Sequence, residues 1–79
     1  MSTGVASGTK LLLRANQART DPAATTPFHL WQLADREANG VRTARTILYR
    51  HAMLHAGYLV EKKTGKPFRV CPDCSEPLA

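Results

Sequence analysis

The 79-residue chain is poor in most of what a small domain relies on for stability. It has two cysteines, enough for one disulfide within the chain at most, which excludes a disulfide framework. One Trp, two Tyr and two Phe leave few large side chains to fill a core. No apolar run approaches the length of a membrane span, and Leu11-Leu12-Leu13 is too short for the apolar stretch of a signal peptide, which also wants a basic start. A cytoplasmic, reducing setting is therefore expected, in which paired cysteines hold metal more often than they form a structural disulfide. Acid is scarce: six Asp and Glu face eleven Lys and Arg, for a net charge of +5. That excess fits a polyanionic partner, whether DNA, RNA or an acidic protein face. No internal repeat stands out.

Against these absences stand two pairs of metal-ligating residues. His51 and His55 lie one helical turn apart, and Cys71-Pro72-Asp73-Cys74 places two thiols on a tight turn. Two imidazoles and two thiolates are the number and type of ligands in a closed, structural tetrahedral zinc site, although the histidines come first here. Two thiolates cancel the charge of the ion, so closing such a site barely alters the net charge. The chain is also short enough to need a staple. His29 is a spare ligand. The competing reading of Cys71-Pro72-Asp73-Cys74 as a redox pair wants a following helix to lower the first thiol's pKa, and only five residues follow Cys74.

The organisation read from composition is a tail at 1–9, a short helix and linker at 10–26, and a zinc-stapled helical domain at 27–79. The first helix, capped by Thr9, carries Leu11, Leu12, Ala15 and Ala18 on one side and stops at Asp21-Pro22. The second starts at Thr26 as N-cap with Pro27 as first helical residue and breaks at Asn39-Gly40. The third, 41–56, shows an apolar face of Ala44, Ile47, Leu48, His51, Leu54, His55 and Tyr58, with Gly57 as its end. Residues 58–70 read as two β-prone runs around the turn Lys63-Thr64-Gly65-Lys66. The expected fold is thus a small, mostly helical α+β domain: two or three helices, a short β-hairpin and a zinc knuckle. The alternative is an all-α helical hairpin with a C-terminal knuckle, the third helix continuing to about residue 63. Either path returns Cys71 to within reach of His55.

Two resemblances follow from these residues. Gly40-Val41 opening a helix that ends in Ala56-Gly57-Tyr58-Leu59-Val60, followed by the basic turn 62–66, resembles the recognition helix and wing of winged helix-turn-helix domains. That resemblance implies major-groove contacts from Arg42, Thr43, Arg45 and Thr46, and phosphate contacts from Lys63, Lys66 and Arg69. Arg50 shares the arginine-bearing face. Thr64-Gly65-Lys66-Pro67-Phe68, with Cys71 and Cys74 beyond it, is similar to the linker and knuckle of zinc fingers. The resulting expectation is one structural Zn2+ in a nucleic-acid-binding module, a DNA-binding transcriptional or mobile-element regulator with no membrane or small-molecule partner. The alternative is an adaptor or structural subunit of a larger complex, docking through Trp31, Tyr49, Met53 and Val60. No enzyme is expected, because a site with four protein ligands keeps no open position.

Overall fold

A computed structural model of the chain describes residues 3–21 and 25–78. The tail reading at residues 1 and 2, the middle of the linker at 22–24 and residue 79 lie outside the described residues. Among the described residues three helices form: α1 (Thr3–Thr20), α2 (Pro27–Glu37) and α3 (Arg42–Ala56). Residues 3–9, read from the sequence as a tail, lie within α1.

The helix ends follow from local chemistry. The Thr26 hydroxyl accepts a hydrogen bond from the His29 N–H at 3.1 Å, and Pro27 takes the first helical position, where its missing N–H costs nothing. Asn39 and Gly40 both adopt positive φ, 53° and 79°, turning the chain between α2 and α3. At the end of α3, Gly57 sits at φ 81°. The Tyr58 N–H reaches the Met53 carbonyl at 3.0 Å and the Gly57 N–H the Leu54 carbonyl at 3.2 Å, the double bond of a Schellman cap.

Each helix touches the other two. Leu11 and Ala15 of α1, Leu30, Leu33 and Ala34 of α2, and Ala52 of α3 form the main core, with Leu48, Tyr49, Met53 and Ala56 packed against it. The buried face of α3 is therefore rotated from the expected one, and Ile47 stands 62% exposed. The histidine side of α3 is covered by the C-terminal segment, where Leu54, Cys71 and Leu78 make a second cluster flanked by Leu59 and Phe68. A single amphipathic stripe could not represent a helix buried on two sides.

The expected β-hairpin is absent, and the mostly helical α+β class with it. Among the described residues there is no strand, only isolated bridges at Val60↔Pro67 and Val70↔Pro77. Neither does α3 run to residue 63; it stops at Gly57. The all-α alternative fits, with a C-terminal knuckle. Proline explains the missing ladder, since Pro67 and Pro77 have no N–H to donate at the bridge.

What replaces the hairpin is a repeat that the sequence reading missed. In the first turn the Gly65 N–H donates to the Glu61 carbonyl at 2.8 Å and the Glu61 N–H to the Lys66 carbonyl at 2.9 Å. Ten residues on, Ser75 donates to Cys71 at 2.8 Å and Cys71 to Glu76 at 2.9 Å. Gly65 and Ser75 hold matching positive φ values of 70° and 64°. Val60 to Pro67 and Val70 to Pro77 are the same turn made twice. Its sequence signal is Val and Pro seven residues apart, recurring with a shift of ten.

Candidate metal centre

The second turn carries the cysteines and lies against the last two turns of α3. One ligand atom from each of His51, His55, Cys71 and Cys74 falls within 4.8 Å of the others, an arrangement that can hold a metal ion. The histidines emerge from successive turns with ring centroids 4.7 Å apart and planes at 86°, as their spacing dictates. His55 Nε2 lies 3.3 Å from Cys74 Sγ. His55 and Cys71 are buried, His51 is half-buried and Cys74 is exposed.

The electrostatics suit a neutral His55. Burial, and after it the neighbouring His51, pushes the His55 pKa below the ordinary imidazole value. Desolvation raises the Cys74 thiol, although the residue as a whole is exposed. His51 Nε2 is buried with no hydrogen-bond partner, as is His55 Nδ1. A buried ring nitrogen left without a partner is costly, and both of these rings belong to the cluster. An electron-pair acceptor there would satisfy it.

An ion pair ties the two ligand-bearing elements together beside the cluster. Arg50 Nε and a terminal nitrogen donate to the two carboxylate oxygens of Asp73 at 2.9 and 3.1 Å. These bonds raise the Arg50 pKa and lower that of Asp73. The pair was not anticipated from the sequence, yet a signal was there. Arg50 directly precedes His51 and Asp73 directly precedes Cys74, so bringing the ligands together brings opposite charges together.

The residues expected to meet nucleic acid are spread over two regions. Arg42, Thr43 and Thr46 are exposed at the start of α3, Thr46 donating to the Arg42 carbonyl at 2.9 Å. Arg45 is engaged within the fold: it pairs with Asp35 and lies 4.8 Å over the Trp31 ring. Arg50 is held by Asp73. Lys63, Lys66 and Arg69 are exposed in the segment beyond α3, the first two on the first repeated turn and Arg69 just before the second. Of the residues expected to meet a partner, Trp31 and Tyr49 pack edge to face at 4.8 Å, Met53 adjoins the main core, and Val60 is half exposed.

The fold and donor set define a class: a three-helix domain carrying a His2Cys2 ligand cluster between its last helix and a C-terminal turn. Comparison with protein-family models, curated proteins and solved structures finds no match to the chain. Among the described residues no helix is long and apolar enough to cross a membrane.

Proposed function

We propose that the chain is a zinc-stapled interaction module, in which one structural Zn2+ pins the C-terminal turns to α3 and the outer surface docks a protein partner. The convergence of two imidazoles and two thiols within 4.8 Å carries this reading. Zinc–nitrogen and zinc–sulfur bonds of about 2.0 and 2.3 Å place tetrahedral ligand atoms roughly 3.3–3.8 Å apart, a spacing that small side-chain rotations reach. Borderline-soft nitrogen and sulfur donors favour zinc over magnesium or calcium. Four protein ligands leave no position for water or substrate, which supports a structural role over a catalytic one.

The preference for a protein partner over nucleic acid rests on charge. Arg45 and Arg50, central to the expected DNA-contacting face, already face Asp35 and Asp73. Breaking those pairs to reach phosphate would offset much of the gain. Native mass spectrometry with and without a chelator tests the staple, with one zinc per chain expected and its loss in Cys71→Ser or His55→Ala. Anisotropy with a labelled duplex tests the partner class. Only weak, non-specific binding is expected, with Kd no tighter than about 10⁻⁶ M. Nanomolar binding lost in Arg42→Glu would restore the nucleic-acid reading.

A further inference from the structure

Beside the metal cluster a cleft of about 570 Å³ opens between the ends of α1 and α3 and the first of the repeated turns. Its floor is apolar: Leu54 and Leu78 are 1% and 4% exposed, and Phe68 packs against them. Around it stand three cations, Arg19, Lys66 and Arg69, with no ion pair among the described residues. The one acid among the described residues lining the cleft, Glu61, accepts a hydrogen bond from the Thr64 hydroxyl at 3.1 Å. The described residues lining the mouth therefore carry a net charge of about +2, three cations against one carboxylate.

We infer that this cleft takes an acidic protein segment that inserts one bulky aliphatic side chain between flanking carboxylates. The apolar floor suits a single Leu- or Ile-sized group, and the cations, one from α1 and two from the segment beyond α3, suit carboxylates flanking it. The volume lies within the range of sites that enclose a ligand group. Phe68 is committed to the Leu54–Cys71–Leu78 cluster rather than standing free as a stacking platform, which favours an aliphatic insert over a nucleobase. The inference rests on the interaction-module reading and names its partner. The floor also depends on the metal cluster, because Leu54 adjoins His55 and Leu78 packs on Cys71.

The test uses the zinc-loaded full chain and a fluorescein-labelled peptide with one leucine flanked on both sides by aspartates. Controls replace the leucine by glycine or the aspartates by lysines, and a labelled single-stranded DNA is run alongside. Lys66→Glu/Arg69→Glu, both on exposed residues, should weaken the peptide about tenfold, while Glu61→Gln should tighten it about twofold. The glycine control should bind about tenfold more weakly. Zinc content and helical circular dichroism of each variant confirm the fold. Peptide binding indifferent to the charge reversal, or to the leucine, overturns the cleft assignment. DNA binding in place of peptide binding overturns both the cleft and the interaction reading. Other peptides, selected by display and insensitive to the charge reversal, overturn the cleft alone.

Discussion

Removing the metal should release residues 58–78 from the helices before the three-helix core gives way. The two hydrophobic clusters are distinct: one joins α1, α2 and α3, and the other joins Leu54 to the C-terminal turns. Ordering about 20 residues costs on the order of 20–40 kcal/mol of conformational entropy. Burying Leu78 and Cys71 and half-burying Leu59 and Phe68 contributes about 5–8 kcal/mol. The six backbone hydrogen bonds donated from this segment contribute about 3–9 kcal/mol more. Burial and hydrogen bonds thus fall short of the entropic cost by about 3–32 kcal/mol, a gap within which the roughly 10–16 kcal/mol of a structural zinc lies. Native-state hydrogen exchange read by mass spectrometry, with zinc and with chelator, checks this. The amides of Cys71, Ser75 and Leu78 should lose at least about a thousandfold of protection, which corresponds to roughly 4 kcal/mol. Those of Leu30 and Ala52 should lose much less. Unchanged protection at Cys71 and Leu78 on chelation would refute the reasoning, and equal losses at Leu30 would refute the separation of the two clusters.

Three further outcomes follow. Asp73→Asn should leave helical content unchanged and cost no more than about 1 kcal/mol of stability, because both partners are partly exposed. Zinc transfer to a competing chelator dye should nevertheless speed up about tenfold, as the turn loses its tie to α3. Ser75→Gly should raise the melting temperature by about 3–6 °C, since a serine at φ 64° carries a left-handed penalty that glycine lacks; an unchanged Tm would count against strain there. Below about pH 6.5 zinc affinity should fall at least about tenfold per pH unit as protons compete for the ligands. The apo chain should weaken in the same direction. His55 is held below its unfolded value by burial, so this penalty is absent above about pH 6.5 and grows as pH falls from there toward the folded pKa. Affinity that stays flat from pH 7.5 to 5.5 would contradict the ligand assignment.

Features fixed over a few residues were legible in the sequence. The Thr26–Pro27 start, the Gly57 stop and the two ligand spacings each depend on groups within a turn of one another. Their convergence was legible too, because chain reach permits Cys71 to return to His55, although by neither the hairpin nor the longer helix expected. What could not be read was which side of α3 faces the other helices. Ala44, Ile47 and Leu48 suggested one stripe and Tyr49 and Met53 another, and periodicity does not say that the turns cover the histidine side. The β-prone run 58–60 misled for a related reason. Val60 and Val70 do make bridge contacts, but a proline opposite each one stops the pairing at a single bridge.

The repeated turn separates what a bound metal would do from what the chain does unaided. In the first copy, Glu61 and Thr64 occupy the positions held by Cys71 and Cys74 in the second. They join by a side-chain hydrogen bond of 3.1 Å. The backbone bonds of the two copies agree in pattern and length. The shared backbone bonds show that the shape of the turn is set by the chain, with two thiols as with a carboxylate and a hydroxyl, while its persistence still depends on docking to α3. The cysteine pair is therefore preorganised by backbone hydrogen bonds and by the positive φ of Ser75. The contribution of a bound ion would then lie in holding that turn against α3, where Arg50 and Asp73 already meet. On that basis the affinity of the site is set as much by how firmly the turn docks as by the four ligands themselves.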